Sequence, residues 1–244
     1  MTTRPLDFTE IWNDATALLK SNREIVLALA GVFFLLPALA AQFLLTPIEP
    51  ISKPTPEQAV QMVQSWFAVN WYWFVLFLVV GMIGVLSFNI LLLDAKKPTV
   101  GEALGQACAL WPTLFMARLL VTCAVFLGAL LLIVPGVYLA VKFILVEPVI
   151  GAENQRNPIT AMQRSWELTK GKSLPIFGFL LIVAVVSIIA FFVISLIFNI
   201  AIVLLLPADI VPMLTELVST VLQMGLSLLF LFLYAAIYRQ VRLA

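Results

Sequence analysis

The stretch VPGVYLAVKFILVEPVIGAENQRNPITAMQRSWELTKGK, residues 134–172, decides how the chain folds. It concentrates Pro, Gly and ionisable residues in a chain that is otherwise almost free of charge. A break at Pro135 and Gly136 leads into a short apolar segment, and a charged amphipathic segment then ends near Gly171. We therefore predict the tip of a hairpin, a returning membrane helix and a helix on the membrane surface.

The composition of the whole chain places it in a bilayer. Hydrophobic residues make up 63% and charged residues 11% of its 244 positions, and its mean hydropathy is +1.09. This is more apolar surface than a soluble core of that size can bury. The formal net charge of +1 provides no basic footprint for a phosphate backbone, so no nucleic acid is expected as a partner.

The residue types that support catalysis are scarce. The sequence contains no histidine, which removes the commonest general base, the usual zinc ligand and every His-containing triad. Gly-rich phosphate loops, paired catalytic carboxylates and Cys-x-x-Cys spacings are also absent from the sequence. We expect a protein that is not an enzyme, with no catalytic residue, cofactor or metal. Cys108 and Cys123 are expected to be reduced, buried thiols.

Six apolar runs predict six membrane spans, although a span needs about 20 residues and the fourth run is shorter. The predicted spans are residues 25–45, 73–93, 114–134, 137–151, 174–198 and 214–238. For the fourth run we favour a full crossing over a break at Pro148 inside the bundle. The fifth run is longer than a bilayer core, so we end this span near Phe198 and leave residues 200–206 to cap the far side.

Two features between the start of the first span and the start of the second span allow two interpretations each. Residues 38–40, Ala-Leu-Ala, could be a signal-peptide cleavage site, but the acidic leading region and the continuation of the run to Leu45 favour an uncleaved span. Residues 46–65 are rich in Pro and predict an exposed loop. The aromatic cluster at residues 66–73 favours an interfacial belt over an aromatic ligand box.

Amphipathic segments precede the first, third and fifth spans. Their apolar residues recur at spacings of three and four, which predicts interfacial helices over residues 8–20, 99–111 and 158–170. Four positions match between the segments: Ile11, Ala103 and Ala161; Trp12, Leu104 and Met162; Ala15, Ala107 and Ser165; Leu18, Leu110 and Leu168. This similarity favours a threefold repeat over a chance match between amphipathic helices.

The predicted fold is all-α, a polytopic membrane protein forming one integral membrane domain over residues 1–244. Six transmembrane helices form three hairpins around a pseudo-threefold axis, each hairpin preceded by a cytosolic amphipathic interfacial helix.

The distribution of Lys and Arg predicts the orientation. Eleven of the 14 basic residues fall in connections on one side: Arg4, Lys20, Arg23, Lys96, Lys97, Arg156, Arg164, Lys170, Lys172, Arg239 and Arg242. The opposite side has only Lys53, and Arg118 and Lys142 fall within spans. The positive-inside rule therefore places both termini in the cytoplasm. A five-span alternative would put the last two arginines outside.

Arg118, Lys142 and Glu147 form the candidate intramembrane polar site. Charges inside an apolar segment are costly, so each should face a partner, a cavity or an interface. Lys142 and Glu147 are five residues apart, which is a poor spacing for a contact along one helix. We favour an ion pair between Arg118 and Glu147, with Lys142 extending outward to the interface. The alternative is a proton or ion relay, or a polar path for a headgroup.

A second candidate surface surrounds Trp166 on the third interfacial helix. It contains the basic residues Arg156, Arg164, Lys170 and Lys172. General anchoring on the positive side of the membrane is one interpretation, and recognition of anionic headgroups is the other, since each basic residue near such a surface contributes about 1 kcal/mol. The expected partners are membrane lipids, with a cytosolic or membrane protein as a further candidate.

The segment PGVYLAVKF, its acidic and Asn-rich turn, and AMQRSWELTKGKSLPIFGFL together carry a family resemblance. They resemble the membrane domain fused to some bacterial glycerophosphodiester phosphodiesterases, and its stand-alone, uncharacterised six-span relatives in the inner membrane. The resemblance covers residues 134–181, and RSWELTKG at residues 164–171 is its most specific part. The remainder of the chain matches in layout only.

The resemblance implies a multi-pass protein of the bacterial inner (plasma) membrane, acting in lipid or envelope homeostasis or as an anchor or scaffold. It brings no catalytic residue, because the soluble phosphodiesterase barrel is missing. The alternative function is a small transporter or lipid-translocating protein with a polar path beside Lys142 and Glu147.

Overall fold

The computed structural model describes residues 6–47 and 55–242, and all regular secondary structure within this part of the chain is helical. The helices in chain order are α1 (Phe8–Ser21), α2 (Arg23–Ala30), a π-helical segment (Gly31–Leu35), α3 (Leu36–Leu44), α4 (Pro56–Leu93), α5 (Val100–Leu131), α6 (Ile133–Lys142), α7 (Val146–Glu153), α8 (Pro158–Leu168), α9 (Ser173–Leu205) and α10 (Val211–Arg242). The predicted all-α class is confirmed.

The protein is a multi-pass membrane protein, because six helical segments of the described residues are long and apolar enough to cross a bilayer. These spans are Arg23–Leu44, Pro56–Leu93, Val100–Leu131, Ile133–Glu153, Ser173–Leu205 and Val211–Arg242. They lie in the order predicted from the sequence, although several of their bounds differ.

The buried core lies at one end of the bundle, where the second helices of the three hairpins meet. There α4, α7 and α10 contact one another, and Leu86, Ile150 and Ile237 are fully buried. Around them α1 packs against α10, α5 against α4, and α8 against α7. We call this the surface-helix end, and the opposite end, where each hairpin turns, the hairpin-tip end.

The three surface segments share one register, which supports the predicted repeat. Asp7, Thr99 and Asn157 are N-cap residues whose side chains accept hydrogen bonds from backbone N–H groups of the first turn. Four residues after each cap stands a fully buried side chain: Ile11, Ala103 and Ala161. Equivalent caps therefore place equivalent faces on the core.

The ring of units closes between the first and last described helices. Arg239 Nη1 of α10 lies 3.0 Å from Asp14 Oδ1 of α1, and Gln240 Nε2 donates to the carbonyl oxygen of Asp7 at 3.2 Å. The helix α1 thus packs on the second span of the third hairpin, as α5 and α8 pack on the second spans of the hairpins before them.

The second surface segment is not a separate helix, contrary to the prediction for residues 99–111. The helix α5 continues through Pro112 into the third span. In the other two units a break separates surface helix from span, at Asn22 and around Gly171, which has a φ of +74°. The equivalent positions of α5 are Thr113 and Leu114, which do not stop a helix.

The two cysteines differ from the expectation of buried thiols. Cys108 and Cys123 are free, and both are exposed on α5. A thiol behaves as a small apolar group, so a membrane-facing side chain such as that of Cys123 needs no burial within the protein.

Two helices are longer than predicted. The helix α4 begins at Pro56, so much of the expected loop over residues 46–65 is helical, and residues 48–54 lie outside the described part. Thr55 and Gln58 form a reciprocal capping box that starts this helix. The helix α9 continues to Leu205, so residues 200–205, expected to cap the far side, extend the fifth span.

The fourth span is broken, but not at Pro148. The helix α6 ends at Lys142 and α7 begins at Val146. A proline cannot donate to the carbonyl four residues before it, and its ring clashes with that carbonyl, which here belongs to Ile144. The break therefore falls one turn before Pro148, and this proline lies in the first turn of α7, where it is tolerated.

Candidate functional site

Arg118 and Glu147 form the ion pair favoured from the sequence. Arg118 Nε and Nη2 lie 2.8 Å and 2.7 Å from Glu147 Oε1, and the contact joins α5 to the first turn of α7. The two side chains are 38% and 28% exposed, so each charge is only partly removed from its surroundings. The pair compensates both charges locally, which is the arrangement expected of a structural contact.

Lys142 does not extend outward to the interface, which corrects the prediction for this residue. It is only 2% exposed, and its Nζ lies 5.0 Å from the ring centroid of Trp166 and 5.5 Å from that of Tyr138. Both distances fit cation–π contacts. The break in the fourth span is the physical reason, because it makes Lys142 the last residue of α6, where the helix dipole favours a cation.

The backbone of Lys142 also holds α8 in place. Its carbonyl oxygen accepts from Ser165 Oγ at 2.8 Å and from Thr169 Oγ1 at 3.4 Å. Ser165 and Thr169 are fully buried, so this carbonyl at the end of α6 receives its hydrogen bonds from side chains. Lys142 therefore stabilises the contact between the broken span and the third surface helix.

The basic surface around Trp166 divides into two groups. Arg164 Nε lies 3.4 Å from Glu153 Oε1, and its Nη1 lies 3.5 Å from Glu167 Oε2. Glu153 also accepts from Tyr238 Oη at 2.9 Å. Arg164 is therefore engaged in a network between α7, α8 and α10 rather than available to headgroups.

The other basic residues of this surface, unlike Arg164, form no ion pair within the described part of the chain. Within the described residues, the side chains of Arg156, Lys170 and Lys172 have no carboxylate oxygen within 4.0 Å. Trp166 is 38% exposed while its ring covers Lys142. These three basic residues can meet anionic headgroups without breaking an internal ion pair.

A groove of about 780 Å³ lies beside α8. It is lined by Leu120, Phe143, Ile159, Met162, Gln163, Trp166 and Glu167. Neither Lys142 nor Glu147 lines it, so this groove is not the polar path predicted beside those two residues. Its mostly apolar lining suits an acyl chain rather than a polar solute.

Sequence reasoning missed a second groove, which we call the α3–α10 groove. It has a volume of about 490 Å³ and is lined by Phe34, Ala38, Ala41, Gln42, Leu45, Glu216, Thr220, Gln223, Met224 and Ser227. Four of its polar residues stand on α10 at spacings of four, three and four, which places them on one helix face. That spacing was visible in the sequence, but Gln42, the polar residue facing it from the first span, is distant in the chain.

The comparisons with known proteins yield one match. No curated protein and no solved structure matches the chain, and the resemblance to the phosphodiesterase membrane domain stays a prediction. One family model matches residues 60–241, which include the Arg118–Glu147 ion pair, α8 and the α10 wall of the α3–α10 groove. The chain belongs to this family, described as a domain of unknown function (DUF7847).

Proposed function

We propose that the protein is a non-enzymatic protein of the bacterial inner membrane, anchored in anionic lipid at its surface-helix end and acting in lipid or envelope homeostasis. The observation that carries this proposal is the one-sided basic charge. Apart from Arg4 and Lys53, which lie outside the described residues, every Lys and Arg is located in or next to the surface-helix end. The positive-inside rule then puts this end, with both termini, in the cytoplasm.

The third surface helix supports the contact with lipid in particular. Arg156, Lys170 and Lys172 flank α8, and their charges are not used in ion pairs among the described residues. Juxtamembrane basic residues attract anionic leaflets, and the half-exposed Trp166 is of the type that lies at the headgroup level. The resemblance of residues 134–181 to a lipid-associated membrane domain is the support for a role in lipid or envelope homeostasis.

The test compares two sets of substitutions in α8 and its flanks. Thermal melting of the purified protein is measured in dodecyl maltoside micelles with increasing phosphatidylglycerol or phosphatidylcholine. We expect phosphatidylglycerol to stabilise the wild type, and Arg156→Gln, Lys170→Gln and Lys172→Gln together to remove roughly half or more of that stabilisation. An unchanged response to phosphatidylglycerol in this triple variant would reject the proposal.

Arg164→Gln is the matched control. It removes the same type of charge from the same surface, but from within the network with Glu153 and Glu167. We expect a lower melting temperature in every lipid mixture and an unchanged increment from phosphatidylglycerol. This outcome separates the loss of an internal contact from the loss of lipid binding.

Lipid translocation is the second candidate function, and the α3–α10 groove is the observation that favours it. The path predicted beside Lys142 and Glu147 is less favoured, since Glu147 is paired and Lys142 is covered by Trp166. Dithionite quenching of fluorescent phospholipid in proteoliposomes tests this function. Quenching beyond the outer leaflet that is lost in Glu216→Gln and kept in Glu147→Gln supports it, whereas quenching equal to that of empty vesicles rejects it.

A further inference from the structure

The α3–α10 groove contains polar side chains that contact one another across two spans. Gln42 Nε2 of α3 donates to Thr220 Oγ1 of α10 at 3.2 Å and lies 3.5 Å from Glu216 Oε1. Further along the same face of α10 are Gln223 and Ser227, and the hydroxyl of Ser227 donates to the backbone carbonyl oxygen of Gln223. The groove therefore combines a carboxylate, two amides and two hydroxyls.

The length of this polar face of α10 favours a polar occupant. Glu216 and Ser227 are 11 residues apart on one helix, about 16 Å along its axis, which is roughly half of a hydrocarbon core about 30 Å thick. Glu216, Gln223 and Ser227 are all exposed. Polar side chains that face hydrocarbon are unfavourable, so such groups line water-filled cavities or contact polar partners.

The charge of the groove indicates the class of occupant. Among the described residues, Glu216 is the only ionisable side chain that lines the groove, and the described Lys and Arg residues lie in or next to the opposite end of the bundle. An ionised carboxylate only accepts hydrogen bonds. The complementary group is therefore a cation that carries several N–H donors.

The remaining walls of the groove are suited to acyl chains. Phe34, Ala38, Leu45 and Met224 line it with apolar atoms, and its volume of about 490 Å³ falls in the range of small-molecule sites. A bilayer lipid with a primary ammonium group satisfies the polar and the apolar surface together.

We propose that the α3–α10 groove binds an aminophospholipid of the phosphatidylethanolamine type from the leaflet at the hairpin-tip end, with its ammonium group at Glu216. Gln223 and Ser227 lie within the same groove to accept or donate further hydrogen bonds. The site is separate from the basic surface at α8 and does not depend on the function proposed for that surface.

The chemistry of the groove predicts an order of lipids. The quaternary ammonium of phosphatidylcholine has the same charge but no N–H donor, so it leaves the hydrogen bonds of Glu216 and Gln223 unmade. Phosphatidylglycerol has no cation and carries a net negative charge toward Glu216. We expect phosphatidylethanolamine to bind best, phosphatidylcholine next and phosphatidylglycerol least.

Native mass spectrometry of the delipidated full-length protein in detergent micelles tests this order, with phosphatidylethanolamine and phosphatidylcholine added in competition. Phosphatidylglycerol is compared in the variant with Arg156→Gln, Lys170→Gln and Lys172→Gln, because the wild type is expected to retain it at the basic surface of α8. We expect one tightly retained phosphatidylethanolamine, preferred about tenfold over phosphatidylcholine, as one good polar discrimination provides. Glu216→Gln should abolish the preference. Glu57→Gln is the matched control, because Glu57 is an exposed carboxylate near the same end that does not line the groove, and it should leave the preference intact.

Two results would overturn the proposal: equal retention of phosphatidylethanolamine and phosphatidylcholine by the wild type, as for a groove filled by water, or the same preference in Glu216→Gln as in the wild type. Gln223→Leu, checked for folding by circular dichroism, gives a second reading, since it should weaken phosphatidylethanolamine retention without changing any charge. The response to phosphatidylglycerol that depends on Lys170 and Lys172 should survive Glu216→Gln, so this proposal and the proposed function can fail independently.

Discussion

The surface-helix end and the hairpin-tip end differ in how their helices are packed. At the surface-helix end, Leu86 of α4 and Ile237 of α10 are fully buried. Toward the hairpin-tip end, Leu131 and Leu205 are 80% and 79% exposed. Lipid is as apolar as leucine, so helices in a bilayer gain no hydrophobic energy by packing together. Close packing therefore occurs where small residues, caps and ion pairs favour it.

Gly151 gives the largest expected effect, because it allows the close approach of α7 to α4 in the core. A Cβ on Gly151 would lie 2.6 Å from Asn89 Cβ. We expect Gly151→Val to lower the free energy of unfolding by about 3 kcal/mol or more, since neither helix can yield without displacing the core. The measurement is denaturant unfolding in detergent micelles.

The control for this change is Gly225→Val in α10, where a Cβ meets no atom within 4 Å among the described residues. We expect its effect to stay within about 0.5 kcal/mol. Equal losses from the two substitutions would show that packing at the surface-helix end is not what stabilises the fold.

The Arg118–Glu147 ion pair gives an intermediate expected effect on the free energy of unfolding, because both of its side chains are only partly exposed. Glu147→Met leaves Arg118 uncompensated, and we expect a loss of about 2 kcal/mol. Arg118→Met together with Glu147→Met should recover most of that loss. A double-mutant cycle on unfolding free energies measures the coupling, and additive effects of the two single changes would contradict a direct contact.

Leu204 of α9 gives the smallest expected effect, since it is 76% exposed toward the hairpin-tip end. We expect Leu204→Ala to change the unfolding free energy by less than about 0.5 kcal/mol. Leu86→Ala, at a fully buried position, should cost about 2–5 kcal/mol in the same assay. A comparable cost for Leu204→Ala would contradict the comparison of the two ends, because it would mean that another protein surface covers α9 in the membrane.

The sequence was sufficient for features that depend on composition and on local periodicity. Six apolar runs predicted the spans, and the matched positions of Ile11, Ala103 and Ala161 predicted the repeat. The start of α4 was also readable, because Thr55-Pro56 with Gln58 is a capping box followed by proline at the first helical position. The abundance of proline before it led to the interpretation as a loop.

Features that combine distant segments could not be predicted in this way. The burial of Lys142 requires both the break of the fourth span and the cover provided by Trp166 on α8. The α3–α10 groove requires Gln42 to face Glu216, 174 residues further along the chain. Periodicity places a side chain on a face of its own helix, but it does not tell which other helix that face meets.

The contact of α1 with α10 has a consequence for the order of the chain. Because Asp14 joins α1 to Arg239 of α10, the first surface helix takes the place on the third hairpin that α5 takes on the first. The contact between a surface helix and the hairpin before it is therefore of the same kind at all three junctions, whether or not the chain is continuous across the junction. The three units thus form a closed cycle of contacts. In this cycle the junction between α10 and α1 corresponds to the junction between α4 and α5, which the chain crosses at residues 94–99.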